Sequence, residues 1–310
     1  MTTVRRIALL LGGASVEREV SLVTGRACAK ALRANGHDVV EIDPQGNDLR
    51  PLLDALTPRP DVVFNALHGR HGEDGNIQGL LNLMNLPYTH SGVLASALAM
   101  DKPTAKRLFE ATGLRCPAGR VAHRDEVLAA DILPRPYVIK PLAEGSSKGV
   151  AIVRKGDNAL NETMSHWPFG EEVLVEPFIE GRELTVAVMD DRPLAVTELR
   201  PVSGFYDYDA KYTAGRTEHI VPAPIPAHIY AAALEQALQA HRVLGCRGLS
   251  RADFRYDDRR EAGEAGGLYL LEVNTQPGMT PLSLAPEQAA YLGISFEDLM
   301  NWMVEHAACD

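Results

Sequence analysis

Residues 251–280 read RADFRYDDRREAGEAGGLYLLEVNTQPGMT. Two strand-like runs flank a glycine-containing break. Alternate residues of a strand share a face, so Arg251, Asp253 and Arg255 point one way. Glu272 and Asn274 share a face of the second run for the same reason. If the runs pair as a hairpin, two carboxylates and an amide converge. Magnesium takes oxygen ligands, usually one or two carboxylates with phosphate oxygens and water. Two solvated strand faces are the alternative. Leu270, Leu271 and Val273 imply a largely buried second strand, and buried acids need partners, which favours the metal.

Upstream, residues 1–101 alternate strand and helix. Ile7–Leu11 is an apolar run ended by Gly12 and Gly13, and Val16–Asn35 has helical spacing ended by Gly36. His37–Asp43 and Asp61–Leu67 read as strands and residues 76–86 as a helix. That alternation predicts a parallel, doubly wound sheet. Residues 102–182 read differently, as a small α+β lobe. Its helix Lys102–Thr112 ends at Gly113, its strands are Pro136–Pro141, Val150–Arg154 and Glu172–Phe178, and a helix is expected over 156–166. The third lobe, residues 183–310, opens with a hairpin, Glu183–Met189 and Leu194–Leu199, turning at Asp190 and Asp191. Residues 203–216 have no periodicity and read as a long cover loop. A helix over 226–243, strands over 249–256 and 268–273, and two short helices complete the chain. The fold class is thus α/β and α+β.

The 310 residues are 45% hydrophobic and 23% charged, an ordinary globular balance. A net charge of −10 argues against charge-driven nucleic-acid binding. No apolar run is long enough for a membrane span, and the N-terminus lacks a signal-peptide pattern. Cys28, Cys116, Cys246 and Cys309 have no paired spacing and read as free thiols in a reducing compartment.

Three further clusters carry chemistry. The first is EGSSKG, Glu144–Gly149, between two strands. Glycines let backbone N–H groups approach phosphate oxygens, and hydroxyls add donors. It is not a Walker A sequence, and a flexible solvent turn is the less favoured alternative. Lys140 and Lys102 are candidate phosphate cations. The second is VLVEPFIEGREL, Val173–Leu184, which suits a purine pocket lined by Glu176, Phe178 and Ile179, with Glu183 for ribose hydroxyls. Taken in isolation, an edge strand with exposed glutamates is the alternative. The third is LGGASVEREVS with NALHGRHGEDG, both at strand ends of the first lobe. Glu17 stands where a strand gives way to a helix, the usual ligand edge, and could bind an ammonium group. Ser15 and Ser21 are candidate helix caps, and His68 and His71 candidate site linings.

With GGASVEREVSLVTG, NALHGRHGEDG, MDKPTAKRL, VIKPLAEGSSKGV, VEPFIEGRELTVAV, FYDYDAKY, RADF and LEVNTQPGMTPLSL in order, the sequence resembles the D-alanine–D-alanine ligases of the ATP-grasp superfamily. The likeness spans nearly the whole chain. It implies an N-terminal pre-ATP-grasp lobe followed by a two-lobed ATP-grasp fold. It also implies ATP as co-substrate and two magnesium ions, or manganese, on Asp253, Glu272 and Asn274. Lys102 and Lys140 would contact the ATP phosphates, and Glu144, Gly145 and Ser147 would close over them. Glu17 would take the ammonium of the first D-alanine, with His68 nearby. Arg251 and the Gly278 N–H would form the oxyanion site, and Ser146 and Tyr212 would tie the cover loop to Glu17. Lys211 would approach the transferred phosphate, and Ser283 and Leu284 would hold the second carboxylate. The likeness further implies a homodimer, a bacterial cytoplasm and a product destined for peptidoglycan precursors.

Two positions depart from the family pattern. Leu282 stands where a basic residue is frequent, and Lys148 where an apolar one is common. Lys148 is expected either to touch phosphate or to form an exposed loop tip. Tyr212 favours an amine as second nucleophile over D-lactate. The alternatives are a D-alanine–D-lactate or D-serine ligase, a different ATP-grasp carboxylate–amine ligase, and a non-catalytic nucleotide-binding protein.

Overall fold

The computed structural model describes residues 3–46, 48–145, 148–156, 167–202, 215–259, 267–280 and 282–310. Strands β1 (Arg6–Leu10), β2 (Asp38–Ile42) and β3 (Val62–Asn65) form a parallel sheet in the order β2-β1-β3. Ile7, Leu9 and Leu10 are wholly buried, as expected for a parallel strand covered on both faces. Parallel pairing needs crossovers, supplied by α1 (Arg18–Ala34) and α2 (Arg50–Ala55). Helix α1 buries Val20, Thr24, Cys28, Ala31 and Leu32, a stripe at helical spacing.

Neither candidate serine caps α1. Its N-cap is Glu17, whose side chain makes no capping bond. Ser21 already lies one turn inside the helix. Its hydroxyl donates to the Ala66 carbonyl (2.7 Å) and accepts the Gly12 N–H (2.8 Å), joining the ends of β1 and β3. The Ser15 hydroxyl donates to the His68 carbonyl (2.6 Å) and accepts the Glu17 N–H (3.1 Å).

The second sheet is antiparallel: β4 (Arg120–His123), β7 (Glu172–Pro177), β5 (Tyr137–Pro141) and β6 (Ala151–Val153), in that order. Helix α6 (Arg124–Ala129) follows β4 through a capping box of His123 and Glu126. The third sheet runs β10 (Thr217–Ile220), β9 (Arg192–Pro201), β8 (Arg182–Met189), β11 (Leu249–Tyr256), β12 (Leu268–Asn274). Strand β11 alternates buried and half-buried residues, so one face meets the core. Helix α7 (Ala227–Val243) covers that face with Ala233, Ala237 and Ala240, whose small side chains let it lie close to Val186, Phe254 and Leu270. Ala105 and Phe109 of α5 (Lys102–Ala111) join the same core.

Helices α3 (Asn76–Leu83) and α4 (Val93–Met100) precede α5, and α8 (Leu284–Tyr291) and α9 (Phe296–Glu305) end the chain. Leu299, Met300 and Met303 of α9 pack among Leu9, Cys28 and Leu32. The last helix is therefore built into the core of the first sheet. The expected hairpin of β11 and β12 forms, setting Asp253 opposite Glu272 and Arg251 opposite Asn274. The register shifts just after Asp253. All but the first residue of the helix expected over 156–166, and all but the last two residues of the 203–216 loop, lie outside the described residues.

Candidate active site

One cleft gathers residues from seven separate segments. Arg251, Glu272 and Asn274 come from β11 and β12. Glu17 and His68 come from strand ends of the first sheet. Lys102 opens α5, and Glu144 and Gly145 follow β5. Gly278, Ser283 and Leu284 come from the turn leading into α8. Lys140, Glu176, Phe178, Ile179 and Glu183 do not line this cleft; they form an adjoining cluster on β5, β7, β8 and the turn before β8. Ser146, Ser147, Lys211 and Tyr212 lie outside the described residues.

The acidic floor is organised by cations. The Arg251 guanidinium donates to both oxygens of Asp253, at 2.8 and 2.7 Å, and the Thr185 hydroxyl donates to the same carboxylate at 2.7 Å. Lys102 donates to the Glu144 carbonyl (2.5 Å), and its Nζ lies 3.5 Å from Glu272. Its place as the first residue of α5 is fixed by Asp101, which caps the helix through the Thr104 N–H (2.9 Å). Asn274 Oδ1 accepts the Gln276 N–H at 2.8 Å. Among the described residues no three His, Cys, Asp or Glu side chains form a metal cage. Glu272 and Asn274 line the cleft, while Asp253 is not part of its lining but pairs with Glu272 across the hairpin; together these oxygen donors fit a hard cation that brings phosphate and water as its other ligands.

The adjoining cluster is built round one buried carboxylate. Glu176 is 2% exposed, with one oxygen on Lys106 Nζ and the other 2.6 Å from Lys140 Nζ. Burial pushes the Glu176 carboxyl up, but Lys140 and Lys106 outweigh it and hold the group below the usual carboxylate range. Burial opposes charge on Lys140 too; Glu176, then Glu272 and Glu183, more than offset it and raise that group. Arg255 organises the turn between β7 and β8. It donates to the carbonyls of Ile179 and Gly181, each at 2.9 Å, and lies 3.3 Å from Glu183. Its guanidinium also stands 5.4 Å from the Phe178 ring centre.

The first-sheet wall is close-fitting. Glu17 is 3% exposed. A Cβ on Gly69 would stand 2.6 Å from its carboxylate and one on Gly145 would stand 3.0 Å away, so both segments approach Glu17 as backbone only. His68 Nδ1 lies 2.7 Å from Glu73, and Nε2 lies 3.1 Å from the Thr24 hydroxyl. A carboxylate only accepts, so Nδ1 donates and the ring is locked. Lys148 reaches across to donate to the Val16 carbonyl at 2.8 Å. At the opposite end the Ser283 hydroxyl meets the Thr280 N–H (2.8 Å) and hydroxyl (2.9 Å). Leu282, 43% exposed, stands at the cleft mouth.

Sequence reading missed Glu73, Lys106 and Thr280 as members of the assembly. Glu73 lies inside NALHGRHGEDG, and a carboxylate five residues from His68 was an available signal. Lys106 gives no local signal, because a helical lysine is ordinarily solvated.

Two family models match the chain, D-ala D-ala ligase N-terminus over residues 47–91 and D-ala D-ala ligase C-terminus over residues 119–305. The D-alanine–D-alanine ligase of Acidiphilium cryptum is 58% identical over 98% of this chain and 99% of its own. That of Granulibacter bethesdensis is 55% identical over 99% of each. The solved D-alanine–D-alanine ligase from Bacillus anthracis complexed with ATP has a TM-score of 0.80 at 31% identity, over 98% of this chain and 97% of that one. The VanG D-Ala:D-Ser ligase from Enterococcus faecalis has a TM-score of 0.78 at 29% identity, over 98% and 99%. A parallel first sheet, two antiparallel sheets and the cleft they share define an ATP-grasp ligase, an enzyme that uses ATP to join a carboxylate to an amine. Within that class the chain belongs to the D-alanine–D-alanine ligase family.

Proposed function

We propose that this cleft ligates two D-alanine molecules to D-alanyl-D-alanine while ATP becomes ADP and phosphate. The observation that carries the reading is the β11–β12 register, which sets Asp253 against Glu272, itself a wall of the cleft with Glu17 and Arg251. Glu17, buried and approached by glycine backbone, suits the ammonium of the first substrate. The first carboxylate oxygen attacks the γ-phosphorus, ADP leaves, and an acyl phosphate forms. The amine of the second D-alanine then attacks the acyl carbon and phosphate departs.

The residues have separate tasks. Lys102 and Lys140 hold the phosphates, with the loop from Glu144 and Gly145 through Ser146 and Ser147 covering them. Two magnesium ions on Asp253, Glu272 and Asn274, replaceable by manganese, would supply charge neutralisation at the transferring phosphoryl. Arg251 and the Gly278 N–H stabilise the developing oxyanion. Glu176, Phe178 and Ile179 receive the base, and Glu183 the ribose. Ser283 and the Leu284 backbone hold the second carboxylate, while His68 fixes the wall beside Glu17. Ser146 and Tyr212 link the cover loop to Glu17, with Lys211 directed to the transferred phosphate.

The three lobes are divided at residues 1–101, 102–182 and 183–310. We read the chain as a homodimer in the cytoplasm, its product feeding peptidoglycan precursors. No helix among the described residues is long and apolar enough to cross a membrane.

The test is phosphate release with ATP and magnesium. D-Alanine should stimulate it and L-alanine should not, and D-alanine offered with D-lactate at neutral pH should still yield mainly the dipeptide. No D-alanine-dependent release would defeat the reading. Dominant depsipeptide would move the chain to the sister activity.

A further inference from the structure

Lys106 takes no place in the mechanism above, yet it is 6% exposed and makes two short contacts. Its Nζ donates to the Pro117 carbonyl (2.6 Å) and to one oxygen of Glu176. The other Glu176 oxygen holds Lys140 at 2.6 Å. One buried carboxylate is thus shared by two buried ammonium groups, and the trio carries one net positive charge. Gly119 passes Glu176 as backbone only, since a Cβ there would stand 2.7 Å from Glu176 Cγ. Lys102 and Lys106 lie four residues apart on α5, so one helix face sends a first lysine to the cleft and a second to Glu176.

We propose that Lys106 is a positioning residue that neutralises Glu176, so that the charge of Lys140 remains available to nucleotide phosphate. This rests on the assignment of Lys140 to the ATP phosphates. Lys106 and Lys140 compete for one carboxylate. A buried carboxylate left with a single cation binds it tightly, since separating the pair would strand a charge at low dielectric. Without Lys106, Glu176 would hold Lys140 for itself. With Lys106 present, Glu176 is already satisfied on one oxygen, and Lys140 can turn to phosphate at little cost.

A double-mutant cycle read by nucleotide binding tests this. The probe is a non-hydrolysable ATP analogue with magnesium, titrated calorimetrically against the full chain. Lys106→Met should weaken binding about tenfold or more and raise KM for ATP while changing kcat far less. On a Glu176→Gln background the same change should cost less than about twofold, because no buried carboxylate remains to capture Lys140. Should Lys106→Met alone fail to fold, the comparison of Lys106→Met/Glu176→Gln with Glu176→Gln decides the question. Equal affinities support the proposal, and a further tenfold loss in the double variant overturns it. Nucleotide binding by the unsubstituted chain with additive effects refutes only the role of Lys106. No nucleotide binding by the unsubstituted chain refutes the ligase reading as well.

Discussion

Arg251 grips both carboxylate oxygens of Asp253, at 2.8 and 2.7 Å. A planar guanidinium matches a carboxylate in this two-bonded way, and the pair is strong because both members are largely buried. A cation that uses Asp253 must therefore share it with Arg251 or displace one of these bonds. Removing the guanidinium should separate binding from catalysis. Arg251→Met should lower turnover by about a hundredfold or more, the usual cost of losing an oxyanion donor. Its affinity for manganese in the presence of ADP, followed by electron paramagnetic resonance, should stay the same or tighten. A tenfold weaker manganese site would show that Arg251 supports the metal rather than competing with it.

The Lys148 amine bonds the Val16 carbonyl, one residue before Glu17. The bond ties the Lys148 amine to the segment that carries Glu17. A partly exposed hydrogen bond is worth about 1 kcal/mol, or roughly fivefold in an equilibrium. Lys148→Ala should raise KM for D-alanine by about that factor and leave KM for ATP within about twofold. Steady-state kinetics with each substrate varied in turn would reveal the reverse pattern if Lys148 served phosphate.

Two histidines should make stability fall in mild acid. Burial pushes the His241 imidazole down to about 4 and that of His90 down to about 3, from 6.5. The unfolded chain therefore binds protons that the folded chain refuses. The stability associated with each group is complete above pH 6.5 and is lost as pH falls towards 4 or 3. His241→Gln removes one such group. From pH 7 to pH 5 the unsubstituted protein should lose about 2 kcal/mol more than this variant, measured by urea unfolding. Parallel losses in both proteins would mean that His241 accepts a proton while folded.

Much of this arrangement could be read from local pattern. The strand alternation of Arg251, Asp253, Glu272 and Asn274 sufficed to place them together, because β11 and β12 are neighbours in sequence and in the sheet. Apolar runs likewise revealed β1 and β3. Strand β4, Arg120–His123, did not show itself, because it is four residues of mixed polarity made into a strand by pairing with β7. Helices α2 and α4 are short, and α4 is apolar nearly all round, so neither offers an amphipathic period. The cation pairs were the least legible. Lys106 meets a glutamate seventy residues away, and Lys148 meets a carbonyl 132 residues away. No spacing rule encodes such meetings, which depend on how β7 and the first lobe come to rest.

In the proposed reaction the facing carboxylates of β11 and β12 serve phosphoryl transfer. Asp253→Asn and Glu272→Gln keep size and shape while removing the charge a magnesium–nucleotide complex needs. The direct measurement is D-alanine-dependent phosphate release at saturating ATP and ordinary magnesium, with circular dichroism and melting as fold controls. Each variant should fold normally and lose at least about a hundredfold in turnover. Turnover near that of the unsubstituted chain in either variant would contradict the account.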